Sequence, residues 1–246
     1  MKITAITTHE ITPKDNNIFL ILDRYLKALK EKSIIVVTSK IISICEGRVV
    51  KVESIDKQKL IEKEADCYLP PRFSKYHMTF TIKNNILLPA AGIDESNGGG
   101  YYILWPSQPQ KTANKIRQYL QQKFHLKNIG VIITDSRSHP LRMGTTCFAL
   151  AFSGFNALKS YINTPDIFGR KLRVTRANIV DALAVAAVLV MGEGKEQTPL
   201  AIIEDIPVTK FKKNNPSKKE LLLINPKLKD DLYAPFFKKI KWIKAK

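Results

Sequence analysis

The spacing of hydrophobic residues predicts four helices. Apolar residues recur every three or four positions in the first and third of them, and an Ala-rich apolar segment forms the last. Thr175 is the expected N-cap of the last helix, and Gly192 its end. The predicted helices are 17–32, 58–67, 111–124 and 176–191.

Short runs rich in Ile, Val and Thr predict strands between these helices. Segments 33–38 and 128–134 are continuously apolar, which is typical of strands buried on both faces. The other predicted strands are 1–6, 48–52, 77–82, 85–88, 145–152 and 200–203. Because strands and helices do not alternate regularly, we predict a mixed α/β (α+β) fold without Rossmann or TIM-barrel order.

The chain is strongly basic, with a formal net charge of +18 over 246 residues. Lys is spread along the whole sequence and is densest in 207–246, which holds 12 Lys against 3 acidic residues, a net +9. No aromatic-interleaved basic motif of a known nucleic-acid module is present, so we do not expect nucleic-acid binding. Segment 236–244 is nevertheless basic and aromatic, which leaves open a tail that contacts RNA or an anionic membrane.

The N-terminus lacks the pattern of a signal peptide, and the longest apolar run, 182–191, is shorter than the roughly 20 residues that span a bilayer. We therefore expect a cytoplasmic protein without a membrane span. Cys45, Cys67 and Cys147 are scattered, with no His at zinc spacing, and are expected to be reduced thiols.

Two segments that follow apolar strands carry candidate metal ligands. Segment 92–100 places Asp94 on a glycine-rich loop beside a second carboxylate, a hydroxyl and an amide. Asp135 and Ser136 come directly after the strand at 128–134. Oxygen ligands of this kind suit Mg²⁺ or Mn²⁺. The simpler alternatives are a solvated turn and a structural loop.

The segment after Asp135 adds positive charge. Arg137, His139 and Arg142 would attract a phosphate or carboxylate, and His139 would serve as an acid or a base. The alternative for Arg142 is a structural ion pair with an acidic side chain.

Two further segments carry candidate phosphate contacts. Gly192 and Gly194 free the backbone of 191–199 to wrap a phosphate next to Lys195, although this segment follows a helix and is no Walker A loop. Segment 38–43 combines Lys40 with hydroxyl side chains at a strand end. A glycine helix cap and an ordinary first helical turn are the alternatives.

At these positions the chain resembles the coenzyme F-420-0:L-glutamate ligase (CofE-like, gamma-glutamyl ligase) family over roughly residues 1–205. The resemblance rests on the ordered motifs 92–97, 135–144, 166–172 and 181–194. It implies a homodimer with a mixed-sheet fold of its own. We expect two interleaved subdomains, the second around 100–175, and a Lys-rich extension at 206–246.

The resemblance also implies an activity. The family joins L-glutamate to a cofactor carboxylate through an acyl phosphate, using GTP (or ATP) with Mg²⁺ or Mn²⁺. Asp94 and Asp135 match positions that hold one metal, and Ser136 and Glu193 match positions near a second. The expected catalytic residues are Asp94, Asp135, His139 and Arg142. The expected nucleotide-contacting residues are Ser39, Lys40, Ser43, Asn97, Met191, Gly192, Gly194, Lys195 and Thr198, together with 8–11.

Two departures from the family pattern leave the acceptor open. Ser138 and His139 stand where the family has Gly-Arg, and Ile44 replaces a basic residue. The pattern is closer to a divergent bacterial branch thought to glutamylate folates, so both a deazaflavin and a pterin or folate stay candidates. The alternative functions are a folate-specific ligase of the folylpolyglutamate synthase type, a phosphotransferase or nucleotide hydrolase on the same scaffold, and a non-catalytic nucleotide-binding or nucleic-acid-binding protein.

Overall fold

A computed structural model of the chain describes residues 1–207 and 209–245 and has a mixed α/β architecture, which confirms the predicted fold class. The strands are β1 (Lys2–Ile6), β2 (Ile34–Thr38), β3 (Val49–Lys51), β4 (Cys67–Leu69), β5 (Phe80–Lys83), β6 (Ile86–Pro89), β7 (Tyr101–Ile103), β8 (Gly130–Ser138), β9 (Thr145–Ser153), β10 (Leu158–Ser160), β11 (Arg176–Asn178), β12 (Leu200–Glu204) and β13 (Ile243–Lys244).

The helices are α1 (Ile18–Tyr25), α2 (Ser39–Cys45), α3 (Lys57–Glu64), α4 (Pro109–Phe124), α5 (Ile179–Met191), α6 (Lys218–Ile224) and α7 (Ala234–Phe237). Short 3₁₀ turns lie between some of these elements. In the described part of the chain, no helix has both the length and the apolar character that crossing a bilayer requires.

A five-stranded sheet in the order β1-β12-β2-β8-β9 forms the centre of the molecule. All neighbouring strands in it are antiparallel except β2 and β8, which run parallel. Ile35 and Val37 of β2 face a core shared with α1, α2 and α4, whereas Ile34 and Val36 face a second core against α5. The sheet is therefore buried on both faces, which explains why β2 is continuously apolar.

A smaller unit packs around a third core. Its four-stranded sheet has the order β13-β4-β5-β6, and β3 pairs with β7 in a separate ribbon. Leu60 and Ile61 of α3 pack there with Ile93 and Leu104. This third core supports the segment that carries Asp94, since Asp94 forms a bridge with Ile103 of β7.

Several element boundaries differ from those predicted, and three of these differences have a clear structural cause. Helix α1 ends at Tyr25 rather than at 32, because Leu26 adopts an extended backbone. Helix α5 begins at Ile179, and Asn178, not Thr175, is its N-cap, because Arg176–Asn178 pairs with β10 as a strand. Strand β8 continues through Ser138, since its pairing with β9 resumes beyond a register shift at Ile133/Thr134.

Buried Arg117 of α4 fixes the segment that follows β12. Its guanidinium donates to the backbone oxygens of Lys212 at 2.9 Å and Lys213 at 2.7 Å, and to Asn215 Oδ1 at 3.2 Å. Farther on, β13 pairs with β4. Parts of the Lys-rich segment are thus attached to the rest of the protein at two separate places.

We expect Arg117→Met to lower the free energy of unfolding by roughly 2–4 kcal/mol, because it removes the buried guanidinium that donates to three part-buried acceptors. Urea denaturation followed by circular dichroism measures the change. Lys115→Met, two residues earlier on the exposed side of α4, is the matched control and should change stability by less than about 0.5 kcal/mol. Equal stability of the two variants would contradict this account.

Candidate active site

The carboxylate of Asp94 is fixed by a tight turn and by a cation. Its Oδ1 accepts hydrogen bonds from the backbone and the hydroxyl of Ser96 at 2.9 and 2.7 Å. Its Oδ2 lies 2.7 Å from Lys40 Nζ, which also donates to the carbonyl of Ser96 at 2.7 Å. Burial alone would raise the pKa of Asp94, but Lys40 and Ser96 together lower it below its ordinary value. Asp94 is therefore ionised at neutral pH.

Asp135 lies in a drier environment. Its Oδ1 accepts a hydrogen bond from Ser39 Oγ at 3.1 Å, and its Oδ2 accepts one from the indole Nε1 of Trp105. Burial raises the pKa of Asp135 to about 6, helped by the negative charge of Asp94 and opposed by the hydrogen bonds from Trp105 and Ser39. The negative charge of Asp94 is thus one of the groups that disfavour ionisation of Asp135.

Strand register explains why Ser39 meets Asp135, although 96 positions separate them. Thr38 of β2 is paired with Thr134 of the parallel strand β8, so the next residue of each strand emerges at the same edge of the sheet. Helix α2 begins at this point, which places Lys40 beside Asp94.

The loop after α5 closes the site from the opposite side. The single hydroxyl hydrogen of Ser136 is shared between the two carboxylate oxygens of Glu193, which lie 2.9 and 2.8 Å from Ser136 Oγ. Asn97 Nδ2 donates to the carbonyl of Gly194 at 2.9 Å. The hydroxyl of Thr198 donates to the carbonyl of Met191, which fixes the two ends of the loop.

Backbone geometry in this loop depends on glycine. Gly192 has φ +85°, and a Cβ there would lie 2.3 Å from Cδ of Glu196. Glu196 in turn accepts the backbone N–H of Gly194 at 2.8 Å. Gln197 forms a two-way pair with Thr8, donating from its side chain at 2.7 Å and accepting on its backbone at 3.1 Å. The segment 8–11 therefore borders the same loop.

The four segments predicted to carry chemistry thus meet at one site. Ser39 contacts Asp135 and Lys40 contacts Asp94, so the segment after β2 touches both aspartate-bearing segments. The loop 191–198 contacts the same two segments through Asn97 and Ser136. Three predicted residues differ in placement: Lys195 is exposed, Met191 is buried and contacts the loop through its carbonyl, and Ser43 is fully buried. The Ser43 hydroxyl has no hydrogen-bond partner within 1–207 and 209–245.

His139 and Arg142 lie apart from these contacts, on the turn between β8 and β9. Arg142 is exposed, and its backbone N–H donates to the carbonyl of His139 at 3.3 Å. Burial and the charge of Arg137 lower the pKa of His139, although Asp181 opposes them, so the neutral imidazole dominates at pH 7. The structure does not bring either side chain against the two aspartates.

Three residues that contact the site were missed from the sequence. The indole N–H of Trp105 donates to Asp135. The carboxylate of Glu196 accepts the backbone N–H of Gly194, and the side chain of Gln197 donates to the carbonyl of Thr8. Each contact joins residues from different turns of the fold or depends on a loop conformation. Glu196 and Gln197 had a signal, since both lie between the glycines and the next strand, whereas Trp105 had none.

The donor set fits a divalent cation that arrives with a polyphosphate. Among residues 1–207 and 209–245, no three His, Cys, Asp or Glu side chains are grouped closely enough to hold a metal by themselves. Mg²⁺ is usually held by one or two carboxylates while water and substrate phosphates complete its shell. Asp94 and Asp135 would supply such a pair, and the ammonium of Lys40, 2.7 Å from Asp94 Oδ2, is the cation that neutralises Asp94 in this structure.

The sequence matches a known family model and is similar to several named proteins. The family model described as F420-0:gamma-glutamyl ligase matches residues 5–205. The chain belongs to this family. Two relatives named coenzyme F420:L-glutamate ligase are those of Methanococcus maripaludis strain C7, 33% identical over 73% of this chain and 78% of its own, and of Methanosarcina mazei, 31% identical over 84% and 87%.

A third relative of the same name, from Methanopyrus kandleri, is 27% identical over 80% of this chain and 84% of its own. The predicted family resemblance is therefore confirmed, and so is the predicted enzyme class, a ligase. The assignment to a bacterial branch stays a prediction.

The raised pKa of Asp135 predicts a pH-dependent effect of Asp135→Asn on stability. The pKa of Asp135 is 3.8 in the unfolded chain and about 6 in the folded protein. The neutral carboxyl therefore stabilises the fold fully below pH 4, and this contribution is lost as the pH rises through 6. Asn cannot ionise. We expect the variant to gain roughly 1–3 kcal/mol in free energy of unfolding at pH 7.5 and little at pH 4, by urea denaturation.

Asp94→Asn is the control, because it should change the free energy of unfolding at pH 7.5 in the opposite direction. Because Lys40 lowers the pKa of Asp94, the ionised carboxylate stabilises the fold above its ordinary pKa, and that contribution is lost as pH falls through the lowered value. This variant should be less stable than the parent at pH 7.5. A loss of stability at pH 7.5 in Asp135→Asn as well would contradict the dry environment assigned to Asp135.

Proposed function

We propose that this ligase joins the amine of L-glutamate to a carboxylate of a deazaflavin cofactor, driven by GTP or ATP with Mg²⁺ or Mn²⁺. The observation that carries the proposal is the meeting of four distant segments around Asp94 and Asp135. The relatives named coenzyme F420:L-glutamate ligase supply the substrate class.

The reaction needs activation of a poor acyl donor. A carboxylate oxygen of the acceptor attacks the γ-phosphorus of the nucleotide, and the nucleoside diphosphate leaves. The glutamate amine then attacks the acyl carbon of the resulting acyl phosphate, inorganic phosphate leaves, and the amine loses a proton. Negative charge is redistributed in both steps, so fixed positive groups accelerate the reaction.

Asp94 and Asp135 are the residues that would hold the divalent ion, with Ser136 and Glu193 beside a second. When bound, the ion neutralises charge on the triphosphate. The same residues need no large rearrangement to converge, because Ser39 and Lys40 already contact the two aspartates.

Lys40 and the loop 191–198 would contact the nucleotide. Lys40 is the cation nearest the carboxylate pair, and its flexible chain lets the ammonium move between Asp94 and a phosphate oxygen. The backbone of Gly192 and Gly194 permits close approach of phosphate. Asn97 joins this loop to the Asp94 turn, so the nucleotide and the ion would be held by one connected structure.

The acceptor is tested by mass spectrometry after incubation with glutamate, GTP or ATP, and Mn²⁺, with a deazaflavin or a folate offered separately. We expect a glutamyl unit on the deazaflavin. Addition to the folate alone would favour the folate-specific ligase. Arg137 and Arg142 lie on the strand and turn that follow Asp135, so their charge would attract either anionic acceptor, and His139 between them would contribute as a neutral imidazole.

Asp135→Asn should reduce turnover about 100-fold or more, since a fixed charge at the reacting centre is removed. Phosphate release is measured with and without glutamate. Asp56→Asn is the matched control, because Asn preserves the exposed N-cap of α3 and should leave turnover unchanged. Nucleotide consumption that ignores glutamate would instead indicate a hydrolase or phosphotransferase.

The protein would act as a homodimer. Leu141 and Met143 are almost fully exposed on the β8–β9 turn, and Ile167 and Phe168 are nearly as exposed in the loop between β10 and β11. Large apolar side chains grouped on surface loops are uncommon in monomers and mark interaction sites. The family resemblance implies the same assembly.

We expect the double substitution Leu141→Lys with Met143→Lys to shift the protein from dimer to monomer in sedimentation velocity. Leu20→Lys, an exposed apolar residue on α1, is the control and should sediment like the parent. A parent protein that is monomeric at micromolar concentration would refute the dimer.

A further inference from the structure

We propose that Trp105 is a positioning residue that orients the carboxylate of Asp135 and fixes its place relative to Asp94. This inference rests on the proposed role of the two aspartates as metal ligands. Trp105 is 2% exposed, and its indole N–H donates to Asp135 Oδ2. A buried indole N–H requires an acceptor, and here the acceptor is a carboxylate of the candidate site rather than a backbone carbonyl.

The hydrogen bonds on Asp135 leave it one orientation. Ser39 occupies one lone pair of Oδ1, and Trp105 occupies one of Oδ2. The backbone N–H of Ser136 also acts on this carboxylate. An ionised carboxylate has about four lone-pair positions, so at least one stays free for a cation. With a donor on each oxygen, rotation of the carboxylate about its Cβ–Cγ bond would break a hydrogen bond.

A partly buried group of charges contacts the ring and the backbone of Trp105. Lys83 Nζ lies 5.4 Å from the centre of the Trp105 ring and 2.8 Å from Glu64 Oε2. Arg48 contacts the same oxygen of Glu64 at 2.7 Å and donates to the carbonyl of Trp105 at 3.1 Å. Both the ring and the backbone of Trp105 are therefore fixed by one ion cluster.

The edge of the indole also contacts the turn that carries Asp94. A Cβ added to Gly92 would lie 2.1 Å from Trp105 Nε1, so the glycine backbone packs directly against the N–H edge. Asp94 follows two residues later. One side chain thus touches both carboxylate-bearing segments, through a hydrogen bond to Asp135 and van der Waals contact with Gly92.

A purely structural role makes a different prediction. If Asp135 served only to satisfy a core tryptophan, losing the N–H would change stability and leave the affinity for a metal unaltered. If the indole orients the carboxylate, an isostere without the N–H should bind metal more weakly at unchanged shape. Outer hydrogen bonds to metal ligands typically contribute 10- to 100-fold in metal affinity.

The test removes the N–H without a cavity. The chain contains two tryptophans, so Trp242→Phe leaves Trp105 as the sole one. In this parent, Trp105 is replaced by β-(3-benzothienyl)alanine, in which sulfur takes the place of the indole N–H. Free Mn²⁺ is measured by electron paramagnetic resonance during titration, and emission of Trp105 in the parent reports binding next to the ring.

We expect about 10-fold weaker Mn²⁺ binding in the isostere, with nucleotide affinity in the absence of metal unchanged. Trp105→Phe should weaken binding at least as much, and a circular dichroism spectrum identical to that of the parent confirms its fold. Equal Mn²⁺ affinity of parent and isostere would overturn the role of Trp105 alone. If Asp135→Asn, made in the same parent, also leaves the Mn²⁺ affinity unchanged, the proposed metal site itself is overturned together with the role of Trp105.

Discussion

The parallel pairing of β2 with β8 determines where the whole site lies. Every other neighbouring pair in the central sheet is antiparallel, so only here do two strands deliver their carboxyl ends to the same edge. Thr38 and Thr134 are in register, and the chain beyond each one supplies Ser39 and Asp135. The remaining contacts follow from this edge, because α2 starts there and extends Lys40 towards the Asp94 turn.

The two aspartates are kept electrically different by their surroundings. Asp94 has an ammonium partner and stays ionised, whereas burial raises the pKa of Asp135 to about 6. Pairs of titratable groups whose surroundings shift their pKa values in opposite directions are typical of functional sites, because one group can then be charged while the other is neutral. The charge missing beside Asp135 is what a divalent ion carried by a triphosphate would provide.

Periodicity and composition predicted the elements whose burial dominates their sequence. Strands at 33–38 and 128–134 and the helix at 111–124 appear nearly where expected, because a strand covered on both faces must be apolar throughout. Boundaries failed where pairing overrode local signals. Thr175 is an acceptable cap, but the pairing of β11 with β10 delays α5 until Asn178 can cap it.

The site itself was only partly readable from sequence. Asp94, Asp135, Asn97 and Glu193 belong to motifs with polar side chains at element ends, and the structure brings them together. Trp105 carried no such signal, because its function depends on which atom its indole N–H meets across the fold. Ser43 shows the opposite error, because it was predicted as a nucleotide contact from its position near Lys40. It is fully buried in the core, one helical turn after Ser39.

The ion cluster behind Trp105 is understandable only through geometry. Burying Glu64 with Lys83 and Arg48 has a desolvation cost that apolar residues of similar size would avoid, so net stability does not explain it. The cluster instead orients Trp105, since ion pairs and hydrogen bonds constrain distances and angles more closely than apolar contacts do. It joins the small sheet to the ring of Trp105, and the ring joins Gly92 to Asp135. The smaller unit therefore does more than cover the site, because its ion cluster contacts the tryptophan that touches both aspartate-bearing segments.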